Sequence, residues 1–400
     1  MSEATIAGEA AVSPAHRNRI ISIDILRGIV MIIMALDHAR DFYSPTLFAP
    51  ENPEVTTGVY FFTRWITHYC APVFIFLSGV SAWLYADARN AGKKDLAVFL
   101  LSRGVWLVLL EIFLITFLWQ FAYLGFTLQV IWVIGISMII LAALVFLPRP
   151  VIAVISLATI AGHNLLDSVA PADFGSLSWL WAVLHVPSFH PTQGAGAIGA
   201  FFIVYPVIPW FAVMALGYAM GPWFKADTLI RNKRLVTYGV IALVLFLVLR
   251  GLNIYGNPSP WTEQARGGFY SFLSFLNVDK YPPSLLYLLM TLGPALILVP
   301  WLEKCSGKVG AILATYGRTP FLFYVLHILV LHLGSVAWYK LAWDKTGVLF
   351  FMPSTWPEGF QPVLWKAYLA WAIACILLYW PCKWFSNYRK THKQWWLSYL

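Results

Sequence analysis

Residues 20–43 read IISIDILRGIVMIIMALDHARDFY. A membrane helix needs about 20 mostly apolar residues, and this run is long enough, yet it carries charge along its whole length. Asp24, Arg27, Met31, Met34, His38 and Asp41 recur every third or fourth position and share one helical face. A charge at the bilayer centre costs about 2.5–3.5 kcal/mol even on lenient insertion scales. The stripe must therefore face protein or water, which places this helix inside a bundle. At about 1.5 Å per residue, Arg27 lies roughly 12 Å beyond Arg19 and His38 roughly 28 Å beyond it. Arg27 falls in the inner half of the span and His38 at its outer mouth.

The composition extends this reading to the whole chain. Its 400 residues are 60% hydrophobic, 17% aromatic and only 11% charged, where soluble domains carry about 25% charged residues. Soluble, disordered, fibrous and disulfide-scaffold classes are excluded. Ten segments are expected to span, at about 20–38, 59–85, 96–121, 126–147, 150–168, 198–222, 235–255, 283–302, 310–337 and 364–386. The net charge of +9 fits the positive-inside rule and not a nucleic-acid partner. Sixteen basic residues, from Arg17 and Arg19 to Lys390 and Lys393, fall on one side. Six, namely Arg40, Arg266, Lys280, Lys340, Lys345 and Lys366, fall on the other. The expected architecture is an all-α polytopic bundle of about ten transmembrane helices with both termini cytoplasmic. Residues 1–18 and 389–400 would be tails and 19–388 the membrane domain. No apolar stretch precedes residue 20, so no signal peptide is expected. Four cysteines, two of them inside apolar runs, suggest reduced thiols.

Further costly residues lie in the later spans. The second carries Arg64 and His68 on one face, with Pro72 loosening the ladder and Ser78-Gly79 permitting close helix approach. The third carries Arg103 and Glu111, the fifth His163, Asn164 and Asp167, and the ninth Arg318, Tyr324 and His327. Sorted by depth, Asp37, His38, Asp41, Arg64, His68, His163, Asp167 and His327 form an outer group suited to proton transfer. Arg27, Arg103 and Arg318 form an inner group suited to phosphate. Taken singly, His163, His327 and His332 also read as donors bridging helices, and Arg103 with Glu111 as a structural ion pair. His185 and His190, in the loop LHVPSFHP, read as metal ligands or as rim residues, with loop decoration the simpler reading. His38, Asp41 and His68 offer ligand types, but no HExxH, CxxC or single-turn His pair occurs, so no metal is expected. GAGAIG at 194–199 matches a dinucleotide fingerprint by letter but follows a loop instead of a strand. Neither a Walker A motif nor a GxSxG elbow is present.

Four blocks carry a family likeness: SIDILRGIVMIIMALDHARD from residue 22, THYCAPVFIFLSGVSAWL from 67, YPVIPWFAVMALGYAMG from 205 and GRTPFLFYVLHI from 317. In this order they resemble the heparan-alpha-glucosaminide N-acetyltransferase family, in its bacterial branch. More distantly, Arg27 with His38 eleven residues later, and FLSG at 76–79, resemble the transmembrane acyltransferases that O-acylate bacterial surface glycans. The resemblance implies a multi-pass protein of the bacterial plasma membrane. It would take an acetyl group from cytoplasmic acetyl-CoA and deliver it to a sugar on the far side, with a homodimer as a further expectation. Lysosomal members of the family differ: they have Asn where His38 falls and a catalytic His in the following loop. No His occurs between Arg40 and Tyr60 here, so His38 takes its role from the surface-glycan pattern, and heparan sulfate is not the expected acceptor.

The resemblance supplies the reaction class, and the residue types supply an expected mechanism for it. A sugar amine or hydroxyl must lose a proton as it attacks a thioester, and imidazole, near pKa 6.5, suits that task. His38 is the expected base, oriented by Asp37 or Asp41, with His68 or Arg64 steadying the oxyanion. Arg27, Arg103 and Arg318 would hold the CoA phosphates. His163, His327 and Trp210 would meet the acceptor, and Trp179, Trp181 and Trp261 could stack on a sugar. Direct transfer and an acetyl-histidine route both remain open. The rival readings are a transporter or flippase for a small anion or lipid-linked sugar, and a polar-lined protein without chemistry.

Overall fold

The computed structural model describes residues 20–191, 200–305, 307–392, 394 and 397. The GAGAIG run at 194–199, the N-terminal tail and half of the C-terminal tail lie outside the described residues. Helix α1 (Ile21–Tyr43) runs through the middle of the bundle, buried on several sides. Its partners are α3 (Cys70–Arg89), α12 (Leu285–Leu302), α13 (Lys308–Arg318), α14 (Pro320–Trp343) and α15 (Leu364–Thr391). The polar stripe is thus satisfied by protein, as its cost in lipid demands.

The approach of α13 depends on two glycines. A Cβ added to Gly28 would fall onto the Leu313 carbonyl, and one on Gly317 onto the Asp24 carbonyl. Without side chains there, the two backbones touch, as small residues at membrane helix crossings allow. The same device joins α3 to α9 (Val207–Lys225): Gly79 meets the Met214 carbonyl and Gly217 the Phe76 carbonyl.

The second span, Gly58–Arg89, is not one smooth helix. Helix α2 (Gly58–Trp65) passes through a 3₁₀ turn, Ile66–Tyr69, before α3 begins. Pro72 has no N–H, so the carbonyl four residues earlier, that of His68, lacks its helical donor. The Tyr287 hydroxyl from α12 donates to that carbonyl at 2.7 Å. In the third span, α4 (Lys93–Leu110) continues through a π turn, Glu111–Ile115, into α5 (Thr116–Gln120). Glu111 turns its carboxylate to the start of α6 (Val130–Leu144) and accepts from the Trp132 N–H at 3.0 Å. A carboxylate at a helix N-terminus satisfies orphan donors and complements the helix dipole.

Among the described residues, eight helices are long and apolar enough to cross a membrane. The chain is a polytopic helical membrane protein. Of the ten expected segments, the first, α1, is too charged to join those eight, and the fourth, α6, has only 15 residues. The expected segment at 310–337 is two helices, α13 and α14, broken at Thr319 (φ −127°, ψ 47°). Pro320 drives its predecessor out of the helical region, and the apolar pattern running across the break conceals it. Two segments also begin as strands. Strands β1 (Phe126–Leu128), β2 (Ser188–Pro191) and β3 (Ala200–Ile203) form a small sheet in the order β1-β3-β2, with β1 parallel and β2 antiparallel to β3. This three-stranded sheet is a small addition to an all-α bundle.

Helix α7 (Arg149–Gly162), α10 (Thr228–Leu252) and α15 are each 22% buried over their most apolar window, against 67% for α9 and α12. The first three present apolar faces outward, as lipid-facing helices do, while α9 and α12 pack into the interior. Two short helices, α8 (Ser178–Leu184) and α11 (Gly268–Leu276), complete the connections at the sheet end.

Candidate active site

At the end of the bundle where α1 finishes and α9 and α12 begin lies a cavity of about 660 Å³. Helix α1 contributes Asp37, His38, Arg40 and Asp41, and α2 contributes Arg64. The other walls come from Trp119 of α5, Phe189 and Phe202 of the sheet, Tyr205, Lys280 with Tyr281, and the loop residues Phe350 to Met352. Stretches far apart in sequence therefore close around the last turns of α1.

His38 and His327 are the centre of the site. His38 Nδ1 lies 2.6 Å from His327 Nε2, and His327 Nδ1 lies 2.9 Å from the Phe323 carbonyl. A carbonyl only accepts, so His327 carries its hydrogen on Nδ1 and offers a lone pair on Nε2. His38 must then donate from Nδ1, which leaves its Nε2 lone pair as the free acceptor. His38 is half-buried and lines the cavity, while His327 is fully buried behind it. Trp119 meets the His38 ring edge-on at 4.8 Å and limits its rotation.

The expected orienters of His38 point elsewhere. Neighbours one residue apart on a helix do not face each other. Asp37 instead pairs with Arg64 and, at 3.1 Å, with Arg40, and Asp41 pairs with Arg40 at 2.6 Å. Arg64 also holds Glu51 at 2.8 Å. Burial alone would raise the Glu51 carboxyl, but the Arg64 charge beside it prevails and brings it down to about 2. Two guanidiniums thus meet three carboxylates, and Lys280 adds a third cation to the cavity wall. Lys280 lies over the Tyr281 ring at 5.1 Å, and the Tyr281 hydroxyl donates to Tyr205 at 3.4 Å. Burial would raise Tyr281 as well, yet Lys280 and Arg64 bring it below the ordinary phenol value.

Several expected site residues are placed away from the cavity. His68 is 2% exposed, its ring 5.4 Å from Tyr287, with neither nitrogen hydrogen-bonded among the described residues. Trp210 is fully buried behind Tyr205. His163 is buried at the end of α7, close to His185. His332 bridges α14 to α5 through the Leu118 carbonyl at 2.7 Å. Trp181 stacks on His185, Trp179 is exposed on α8, and Trp261 packs on Phe275. The side chain of His190 lies outside the described residues.

The inner cations divide. Asp24 lies 3.7 Å from Arg27 and 3.3 Å from Arg318, so these two meet on one carboxylate at the opposite end of α1. Arg27 also donates to the Gly317 carbonyl and to Ser81. Arg103 sits half-buried on α4, whose main packing partner is α6. Lys280, Arg40 and Glu51 do not stand out in the sequence: the first two read as charges that fix orientation, and Glu51 lies between spans.

A family model described as "Heparan-alpha-glucosaminide N-acetyltransferase, catalytic" matches residues 19–256. The chain belongs to this family. The heparan-alpha-glucosaminide N-acetyltransferase match takes in His38, both arginines of the ion network, Glu51 and Arg103, and makes the chain a member of a membrane acetyltransferase family. Lys280, Arg318 and His327 lie beyond the match. No curated protein matches the chain.

Proposed function

We propose that the protein transfers an acetyl group from acetyl-CoA to an amine or hydroxyl of a sugar, using His38 as general base. The observation that carries this reading is the His38–His327 pair at the cavity wall, which leaves His38 Nε2 unprotonated toward the space where an acceptor would sit. Membership of an acetyltransferase family supports the acyl group, and the cavity volume is within the usual range of small-molecule sites.

His38 Nε2 takes the acceptor's proton as its oxygen or nitrogen bonds to the thioester carbonyl carbon. The carbonyl oxygen becomes an oxyanion, for which Lys280 is the best-placed cation, since Arg64 is engaged by Asp37 and Glu51. The carbon–sulfur bond then breaks, and His38 returns its proton to the departing thiolate. The acetylated acceptor and CoA thiol result. Throughout, His327 holds the imidazole in one tautomer and orientation.

Arg27 and Arg318 would hold the CoA phosphates at the other end of α1, with Arg103 a further cation on that half. Ten residues separate Asp24 from Met34 at the cavity edge, about 15 Å of helix, which an extended thioester arm would bridge. The acceptor would enter at the sheet end. This arrangement suits donor and acceptor on opposite sides of a bacterial plasma membrane.

The test is CoA release from acetyl-CoA by purified protein in detergent, wild type beside His38→Ala. A His38→Ala rate lower by about 10²–10⁴-fold is expected for loss of a general base. Unchanged release in the variant, or no acetyl-CoA binding by folded wild type, would sink the reading and leave substrate flux through vesicles as the next assay.

A further inference from the structure

His163, Asp167 and His185 lie apart from the cavity and have no part in the transfer described above. Each offers a ring nitrogen or carboxylate oxygen, and these atoms lie within 4.8 Å of one another. His163 opens the 3₁₀ turn after α7, Asp167 caps that turn, and His185 caps α8. The trio therefore ties together two segments of the chain at the cavity end of the bundle.

Burial separates this group from an ordinary surface cluster. His163 is 2% exposed and His185 1%. Neither ring nitrogen of His163 has a hydrogen-bond partner of ordinary distance and angle among the described residues, with the Pro283 carbonyl nearby. Buried polar groups are nearly always partnered, and each exception needs a cause. His185 Nε2 lies 3.1 Å from the His163 carbonyl, so it carries the hydrogen and leaves the lone pair on Nδ1, which is also unpartnered. Asn164 donates to Asp167 Oδ2 at 2.7 Å and steadies the carboxylate, whose Oδ1 lies 3.9 Å from His185 Nε2. An imidazole with one nitrogen tied to a carbonyl, as in His185, beside a carboxylate held by an amide is the usual outer support of a metal site.

We infer that His163, Asp167 and His185 form a binding site for a divalent transition metal, with zinc the ion that this donor set favours. Two nitrogens and one oxygen match zinc's ligand chemistry, with bonds of about 2.0–2.2 Å. In a tetrahedral shell such donors sit about 3.4 Å apart, so modest side-chain rotations bring the trio to bonding distance. Asn164 also accepts from the Leu285 N–H at 2.9 Å, at the start of α12. That contact follows directly on the loop of Lys280 and Tyr281, and α8 leads into β2, where Phe189 lines the cavity. The ion would brace two walls of the cavity without touching the substrate.

Cobalt(II) is the probe, because its tetrahedral complexes absorb visibly and zinc displaces it. Full-length protein in detergent, first stripped with a chelator, is titrated with cobalt. The expected result is a visible band saturating at one equivalent, lost on adding zinc and absent in His163→Asn and Asp167→Asn. Zinc should raise the melting temperature of wild type and leave both variants unmoved. Asp167→Asn keeps the size of the side chain and an acceptor for Asn164, so it reports on the site even if His163→Asn fails to fold. No saturable band in wild type, or an undiminished one in folded Asp167→Asn, would overturn the inference.

Discussion

Replacing His327 with Phe removes one acceptor from behind His38 and changes little else. Phe matches the ring and keeps the stack on Phe323, whose centroid lies 5.3 Å from that of His327. The His38 Nδ1–H then faces a hydrocarbon, and leaving a buried donor unsatisfied costs about 1–3 kcal/mol. The imidazole escapes that cost by moving its hydrogen to Nε2 or by rotating, and either change takes the lone pair out of the cavity. Recovering the productive form requires the same 1–3 kcal/mol, and at 1.36 kcal/mol per tenfold the rate falls by about 5- to 150-fold. Initial rates of CoA release from acetyl-CoA, with acceptor and without, measure this directly. His327→Gln returns an acceptor oxygen to the pocket and should recover part of the loss. A His327→Phe enzyme within twofold of wild type, while His38→Ala is inactive, would refute the tautomer argument.

Other expectations follow from the same geometry. Glu51 sits at about 2 because of Arg64, so its contribution is full above the unfolded value near 4.3 and fades as pH falls toward 2. Glu51→Gln should cost about 2–3 kcal/mol near neutrality, and the melting-temperature gap from wild type should narrow on acidification to pH 3. Gly317→Ala drives a methyl into the Asp24 carbonyl. Overpacking of this kind costs about 1–3 kcal/mol or more, to be read as a lower melting temperature and a broadened size-exclusion peak. Tyr287→Phe strips the donor from the His68 carbonyl and should lower stability by about 1–3 kcal/mol, with the cavity and its ion network unaltered.

Much of the fold is legible because charge in a membrane is expensive. The stripe on α1 marks that helix as interior, and the structure places it there. His38, Asp37, Asp41 and Arg64 stand out in the sequence for the same reason, and all four line the cavity. The pairing of His38 with His327 is not legible, because 289 positions separate the two and no periodicity links them. Counting Lys280 and Arg40 as orientation signals hid them from a search for chemistry, although a buried lysine can serve both ends. His68 and His163 share depth with the cavity but not direction: helix rise gives height, and only packing gives the face. The break at Thr319 is hard to read because the largely apolar runs at 311–316 and 321–326 flank it closely, and the strands because three or four residues leave too short a pattern.

The place of α1 has a consequence for biogenesis. It leaves the ribosome before the other helices described here, and Asp24, Arg27, Asp37, Arg40 and Asp41 make it a poor guest for lipid. The groups that satisfy it arrive late: Gly317 and Arg318 on α13, and His327 on α14, follow almost 300 residues after it. Until then the segment must shelter in the insertion machinery or beside a chaperone. The base that the proposed reaction needs is assembled only once α14 has been made, so a chain cut short before α14 would carry His38 but hold no imidazole poised to act.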